Sequence, residues 1–130
     1  MSGTPTPGTE PASRAHILLV EDDVPLGEAY SKILRDAGFA VSLAVDFRLA
    51  LQVLEAERPL DLLIADVVMP GSVNGFALSR MARMRRRDLK VLYLTGYHIP
   101  GADQEALGPI LRKPFEAEDL LREVESMLAG

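Results

Sequence analysis

Four short apolar runs in this sequence each lead into polar side chains that can do chemistry. The runs are residues 17–20, 62–65, 91–94 and 110–111, and they lead into Glu21-Asp22-Asp23, Asp66, Thr95 and Arg112-Lys113-Pro114. Apolar runs this short are typical of strands that are buried on both faces of a parallel sheet. Because such sheets bind ligands outside the carboxyl ends of their strands, we predict that these side chains converge on one pocket.

The acidic residues after the first run have two interpretations. Carboxylates gathered beside Asp66 repel one another unless a cation joins them, and an oxygen-rich site suits Mg²⁺, which keeps several of its waters. Two acidic ligands plus a backbone carbonyl after Asp66 would suffice. Alternatively, Asp22 and Asp23 only stabilise the positive end of the following helix. Both interpretations stay open at this point.

Asp66 itself can be a metal ligand, a surface acid or a nucleophile. An aspartate nucleophile forms an acyl phosphate in covalent phosphoryl transfer. The charge on the equatorial phosphoryl oxygens then requires a metal, a second cation and a hydrogen-bond donor. Lys113 supplies an ammonium group and Thr95 a hydroxyl. Each residue alone is a weak signal, whereas the joint pattern at successive strand ends strongly favours phosphoryl transfer.

Apolar runs and helical patterns alternate along the chain, which predicts an α/β fold with a doubly wound, five-stranded parallel sheet and helices on both faces. The predicted strands are residues 16–20, 39–43, 61–65, 91–94 and 110–112. The predicted helices begin near Pro25 and after Asp46, and then cover about 76–86, 102–107 and 116–128. The fourth helix is expected to be reduced. We choose the flavodoxin-like strand order 2-1-3-4-5, which the alternation alone does not prove.

Composition limits the class of protein. The chain has 130 residues, which suits one domain, and it has no cysteine for a disulfide or a zinc thiolate site. No apolar stretch is long enough for a membrane span, and no secretory signal is visible, so we expect a cytoplasmic protein. The net charge of −5 argues against nucleic acid as the main partner. The basic run of residues 80–90 lacks interleaved aromatics and is interpreted as a solvated helix end, so no direct DNA binding is expected.

The first 14 residues are rich in Pro, Gly, Ser and Thr and show no periodicity. This composition cannot bury a core and predicts a disordered N-terminal tail. The remaining residues, 15–130, are expected to form the folded domain. No further domain is expected after the last helix.

With these motifs, the chain resembles the response-regulator receiver domains of two-component signalling. The matching segments are residues 18–23, 66–70, Gly75, 94–97 and 111–115. The resemblance covers about residues 16–129, nearly everything outside the tail. The Leu-Thr-Gly-Tyr and Leu-Arg-Lys-Pro-Phe motifs, and a loop of residues 71–75 that is one residue longer than usual, are similar to the receivers of hybrid sensor kinases. Single-domain regulators look similar too.

The resemblance implies a role for each matching residue. Asp66 is expected to accept a phosphoryl group from the phosphohistidine of a sensor histidine kinase or histidine phosphotransfer protein, or from a small phosphodonor. Mg²⁺ is expected on Asp22, Asp23, Asp66 and the backbone carbonyl of Val68. Thr95 and Lys113 are expected to contact the phosphoryl group, with a cis bond between Lys113 and Pro114. Such a protein is no enzyme beyond its own phosphorylation and dephosphorylation, and it acts through a downstream protein whose identity the sequence does not give.

The sequence departs from the family pattern at the switch position. The family usually has an aromatic residue three positions before the lysine, where this chain has Ile110. An isoleucine cannot swing a ring inward or offer a hydroxyl. Tyr97, two residues after Thr95, either serves as the moving ring instead or simply packs on the surface loop. Both interpretations stay open.

Two other functions remain as alternatives. One is a phosphatase-type hydrolase with an aspartate nucleophile, which typically needs a second acid two residues later. Val68 occupies that position, so this alternative is weak. The other is a phosphorylation-independent scaffold with a vestigial pocket. The intact set of acidic residues, Thr95 and Lys113 argues against it.

Overall fold

Five parallel strands form the sheet at the centre of the molecule. The computed structural model describes residues 14–56, 58–69 and 74–129. The strands are β1 (His16–Val20), β2 (Ala40–Ala44), β3 (Leu62–Asp66), β4 (Lys90–Thr95) and β5 (Ile110–Arg112). They lie in the order β2-β1-β3-β4-β5, and every neighbouring pair is parallel. The predicted doubly wound sheet and its flavodoxin-like order are therefore confirmed.

Helices connect the strands and cover both faces of the sheet. They are α1 (Val24–Asp36), α2 (Phe47–Glu55), α3 (Gly75–Arg85), α4 (Ala102–Glu105) and α5 (Ala117–Ala129). The predicted reduction of the fourth helix is confirmed, and α4 is a single turn, shorter than the predicted 102–107. Among the residues that the structure describes, no helix is long and apolar enough to cross a membrane.

Three of the helices begin at a side-chain cap. The carboxylates of Asp23 and Asp46 and the amide oxygen of Asn74 accept hydrogen bonds from the backbone N–H groups of Leu26, Leu49 and Ala77. Each cap satisfies one N–H group that the helix itself leaves unpaired, and its loss typically costs about 1 kcal/mol. The caps fix where each helix starts, directly beside the loops at the carboxyl edge of the sheet.

Side chains alternate between the two faces of the sheet and divide the core in two. Ile17 and Leu19 of β1 pack with α1 and α5, while Leu18 and Val20 pack with α2 and α3. The same alternation holds in β3 and β4. Every residue of β1 and β3 is buried, which explains why their sequences are continuously apolar rather than alternating.

Among the described residues, Arg14 and Asp61 differ from the sequence prediction. Arg14, placed in the tail by composition, donates a hydrogen bond to the carbonyl of Ala37 at 2.7 Å and lies over the ring of Phe39. Strand β3 begins at Leu62 rather than at Asp61. Asp61 is nevertheless joined to β1, because its carboxylate accepts a hydrogen bond from the His16 N–H and its own N–H donates to the His16 carbonyl. The rest of the predicted tail, and residues 71–73 of the predicted long loop, lie outside the described residues.

The basic run is less solvated than its sequence suggests. Arg80 forms an ion pair with Glu105 of α4, and Arg85 forms one with Glu55 of α2. The Arg86 guanidinium donates hydrogen bonds to backbone carbonyls at the end of α2 and just beyond it. Several of these cations therefore join α3 to its neighbours, in addition to complementing the negative end of the helix.

A buried hydrogen-bond chain anchors the segment that follows the short α4. The Leu107 N–H donates to the Tyr93 hydroxyl at 3.0 Å, and the Tyr93 and Ser79 hydroxyls lie 2.6 Å apart. Since Ser79 gives its own proton to the Phe76 carbonyl, Tyr93 must donate to Ser79. The segment after α4 is thus tied through β4 to the first turns of α3.

Gly108 allows this segment to lie directly against β4. A Cβ atom at residue 108 would lie only 1.9 Å from the Val91 carbonyl oxygen, whereas a Cβ at Gly96 would have its nearest neighbour at 3.9 Å. We predict that Gly108→Ala lowers the free energy of unfolding by about 1–3 kcal/mol or more, because the loop must move away from the strand. Gly96→Ala is the control and should leave stability nearly unchanged. Chemical denaturation measures both, and equal stabilities for the two variants would contradict the close approach.

Candidate functional site

The side chain of Lys113 joins two strand ends at the carboxyl edge of the sheet. Its ammonium Nζ lies 2.8 Å from Oε1 of Glu21 and 3.0 Å from Oδ2 of Asp66. Glu21 is 1% exposed and Asp66 is also buried. The expected cis bond between Lys113 and Pro114 is present. Asp66 and Lys113, 47 residues apart in sequence, are therefore brought into direct contact as predicted.

The register of the sheet explains this meeting. Val20 at the end of β1 lies opposite Ala65, so Glu21 is the first residue beyond β1 and lies beside Asp66. On the other side, Thr95 lies opposite Arg112, so Lys113 is the first residue beyond β5. The polar residues at the four strand ends therefore lie side by side at the carboxyl edge of the sheet.

Burial and charge act against each other at this ion pair. Burial raises the pKa of the Glu21 carboxyl, although the hydrogen bond from Lys113 partly offsets this effect. Burial alone would lower the pKa of Lys113, but its hydrogen bonds to Glu21 and Asp66 outweigh burial and raise the pKa above its ordinary value. Lys113 therefore remains an ammonium ion at neutral pH and balances the charge of the carboxylates.

Three carboxylates meet in the pocket. Glu21, Asp22 and Asp66 each offer one oxygen, and these oxygens lie within 4.8 Å of one another. Val68, whose backbone carbonyl is the fourth predicted ligand, lies on the wall of the same pocket, and its N–H donates to Asp66 Oδ1. An all-oxygen donor set of two or three carboxylates suits a hard divalent cation such as Mg²⁺. The residues present fit the predicted ion.

The structure changes the predicted ligand set at one position. Asp23 is not part of the three-carboxylate group, because its Oδ1 caps α1 by accepting a hydrogen bond from the Leu26 N–H at 3.1 Å. The helix-start interpretation therefore describes Asp23, while Asp22 lies with Asp66. The sequence placed Glu21 among the strand-end residues expected at the pocket but left it out of the predicted metal ligands, whereas the structure groups its carboxylate with those of Asp22 and Asp66.

Thr95 lies at the same edge, one strand from Asp66, and within the described part of the chain its hydroxyl forms hydrogen bonds with the backbone of Tyr97. Its Oγ1 accepts a hydrogen bond from the Tyr97 N–H at 3.1 Å and lies 3.2 Å from the Tyr97 carbonyl oxygen, to which it donates. Thr95 is buried, whereas Tyr97 is 65% exposed. The hydroxyl thus holds the loop that follows β4.

A separate cavity of about 350 Å³ lies beside the acidic pocket, on the side of the short α4. Its apolar wall includes Val67, Phe76 and Ile110, and Thr95 and Tyr97 also contribute to its lining. Of the two predicted switch residues, Ile110 is half-buried and packs against the α2–α3 core, while the Tyr97 ring stands at the surface. The structure therefore brings both residues to the same cavity.

Solved structures of receiver proteins are similar to this chain. The chain superposes on the chemotaxis response regulator CheY4 of Vibrio cholerae with a TM-score of 0.78 and 33% sequence identity, covering 88% of this chain and 98% of that one. It superposes on the receiver domain of the hybrid histidine kinase CckA with a TM-score of 0.74 and 32% identity, covering 87% of this chain and 98% of that one.

Sequence relatives agree with the structural neighbours. The response regulator receiver protein CpdR of Brucella abortus is 36% identical over 116 residues, which are 86% of this chain and 95% of that protein. The response regulator MprA of Mycolicibacterium vanbaalenii is 35% identical over 117 residues, and the chain spans only about half of it, 49%. The model of the response regulator receiver domain matches residues 17–125. The chain therefore belongs to the response regulator receiver domain family of two-component systems.

Proposed function

We propose that this receiver domain is a phosphoacceptor that takes a phosphoryl group onto Asp66 and then changes its contacts with a downstream protein. The observation that carries the proposal is the position of Lys113, whose ammonium bridges Asp66 and the buried Glu21 at 3.0 and 2.8 Å. A carboxylate nucleophile with a fixed cation beside it and further carboxylates for a metal is the arrangement that phosphoryl transfer to aspartate requires.

The transfer forms one bond and breaks one bond. An Asp66 carboxylate oxygen attacks phosphorus, and the bond from phosphorus to the donor breaks. With phosphohistidine as the donor, the electron pair of the P–N bond returns to the imidazole nitrogen, which is then protonated. With acetyl phosphate, the P–O bond breaks and acetate leaves. Lys113 lies within reach of one phosphoryl oxygen, and the Thr95 hydroxyl is the proposed donor to another.

Glu21, Asp22, Asp66 and the backbone carbonyl of Val68 are the residues that would hold Mg²⁺. When bound, the ion neutralises charge on the carboxylates and on the phosphoryl oxygens. Lys113 pairs with two of the same carboxylates. We therefore infer that Lys113 balances the pocket when it holds no metal, and that it competes with the metal for Glu21 and Asp66.

Receiver domains interact with histidine kinases or phosphotransfer proteins, and we propose such a protein as the phosphodonor here. The chain is proposed to catalyse only its own phosphorylation and dephosphorylation. A phosphatase-type hydrolase with an aspartate nucleophile typically needs a second acid two residues after that nucleophile, and the exposed side chain at this position is Val68. A cytoplasmic location is consistent with this proposal, because the phosphodonors of the family act there.

We further propose that the Thr95 hydroxyl couples phosphorylation to Tyr97. The hydroxyl has one proton, which it donates to the Tyr97 carbonyl in this structure. It cannot donate that proton to a phosphoryl oxygen at the same time. Phosphorylation would therefore break one of the two hydrogen bonds between Thr95 and the Tyr97 backbone. The loosened loop would then let the Tyr97 ring move from solvent into the cavity beside Ile110. Burial of the ring would stabilise the switched state, and the populations of the two states would shift.

We predict that incubation with acetyl phosphate and Mg²⁺ adds one phosphoryl group to the wild type and none to Asp66→Asn, because the amide is not a competent nucleophile. Asp23→Asn is the matched control. Asparagine caps helices as well as aspartate does, and Asp23 is outside the carboxylate group, so this variant should still be modified. Intact-mass spectrometry distinguishes the three proteins. A phosphoryl group on Asp66→Asn, or none on the wild type with either acetyl phosphate or a histidine phosphodonor, would contradict the assignment.

We predict that the Tyr97 ring becomes buried when Asp66 is phosphorylated. With fluorotyrosine incorporated, the chain has three tyrosine ¹⁹F signals, and Tyr97→Phe assigns the one of interest. That signal should move, and its solvent isotope shift should fall, after phosphorylation.

Ile110→Phe is the control, because the larger ring fills the cavity in advance and should leave Tyr97 exposed. A Tyr97 signal that stays exposed in fully phosphorylated wild type would refute the coupling.

A further inference from the structure

The ring of Tyr30 lies directly beneath the candidate site. Tyr30 belongs to α1 and is 8% exposed. Its ring centroid is 5.8 Å from Lys113 Nζ and 5.1 Å from the centroid of the Phe115 ring, with the two rings inclined by 29°. One aromatic ring thus contacts both the ammonium of Lys113 and the side chain two residues further along the chain.

The electrostatic surroundings of the ring support a contact with the cation. Burial raises the pKa of the Tyr30 hydroxyl, the positive charge of Lys113 lowers it, and the charges of Glu21 and Asp66 raise it. The phenol therefore stays protonated at neutral pH and adds no negative charge to the pocket. What it offers Lys113 is the negative face of a neutral ring.

We propose that Tyr30 is a positioning residue for Lys113, an inference that rests on the proposed phosphorylation of Asp66. The ammonium uses two of its hydrogen-bond directions on Glu21 and Asp66. The ring holds it from another side through an attraction that has no fixed hydrogen-bond direction. Lys113 can therefore turn from the Asp66 oxygen towards a phosphoryl oxygen without leaving the ring.

The ring of Phe115 packs against the ring of Tyr30 and holds it beside Lys113. Lys113 and Phe115 flank Pro114, so the segment 113–115 contacts Tyr30 at two points. Tyr30 and Phe115 also belong to the core between α1, α5 and the sheet, whose buried members include Leu34, one helical turn after Tyr30. A leucine at position 30 would keep that core apolar but would remove the ring face from the ammonium.

The test compares three substitutions with the wild type. Tyr30→Phe retains the ring, Tyr30→Leu removes it, and Leu34→Val disturbs the same core on the same helix without a contact to Lys113. The initial rate of phosphorylation is measured at saturating acetyl phosphate and Mg²⁺, together with the Mg²⁺ affinity of each protein. If Tyr30→Leu is unfolded at the assay temperature, Tyr30→Met replaces it.

We expect Tyr30→Leu to slow phosphorylation about three- to tenfold, because Lys113 is less well oriented, with an unchanged Mg²⁺ affinity. Tyr30→Phe and Leu34→Val should each stay within about twofold of the wild type. A Tyr30→Leu rate equal to that of the wild type would overturn the proposal. The proposal would also be overturned if Leu34→Val, at the same loss of stability as Tyr30→Leu, slowed phosphorylation by the same factor. Damage to the core alone would then explain the slower rate.

A second readout does not depend on phosphorylation. The chain has three lysines, so the ε-methylene signals of Lys113 can be assigned with Lys113→Met. The ring should shift these signals upfield in the wild type and in Tyr30→Phe, and the shift should vanish in Tyr30→Leu. A wild type that shows the shift but accepts no phosphoryl group would refute the phosphoacceptor function and leave the contact standing. A wild type that is phosphorylated without the shift would refute the role of Tyr30.

Discussion

The bridge from Lys113 to Glu21 and Asp66 is the interaction on which the site depends. Two carboxylates buried at adjacent strand ends are destabilising unless a cation compensates them, and the energy of removing charges from water is recovered only with close geometry. The ammonium supplies that geometry at 2.8 and 3.0 Å. The remaining features of the fold can be understood as the means of bringing the ends of β1, β3 and β5 to this one point.

The bridge also gives the pocket two ways to balance its charge. Without a metal, Lys113 pairs with both buried carboxylates. We propose that a divalent cation on the three carboxylates would free Lys113 for a new anionic partner, a phosphoryl oxygen. Thr95 has the same character, since its single proton serves the Tyr97 carbonyl in one state and would serve the phosphoryl group in the other. In the proposed mechanism, Lys113 and Thr95 would exchange hydrogen-bond partners on phosphorylation rather than gain new ones.

Sequence reasoning predicted the parallel sheet, the reduced fourth helix and the meeting of Asp66 and Lys113, because these follow from hydrophobic runs, from segment length and from the edge where parallel strands end. The strand order 2-1-3-4-5 is confirmed as well, but it was chosen by analogy with flavodoxin-like folds and did not follow from the alternation. Sequence reasoning selected Asp23 instead of Glu21, since spacing alone does not reveal sheet register. The register shows that the first residue beyond β1 lies beside Asp66 and that Asp23 is needed as the helix cap. The sequence did not indicate Tyr30 as a site residue, because a tyrosine at helical spacing carries no sign of the charge that lies on its ring. The anchoring of Arg14 depends on Ala37 and Phe39, and composition contains no information about such distant contacts.

The most direct test of this account is a calorimetric titration of Mg²⁺ into Lys113→Met, with wild type and Lys32→Met as references. Lys32 pairs with Asp36 on the surface of α1, so its loss should leave Mg²⁺ affinity unchanged. If Lys113 and the metal share Glu21 and Asp66, removing Lys113 should raise the Mg²⁺ affinity about tenfold, because the carboxylates lose their competing cation. The same variant should be phosphorylated far more slowly than the wild type. A Mg²⁺ affinity that is unchanged or weaker in folded Lys113→Met would show that the metal and the lysine do not share these carboxylates, and would contradict the account.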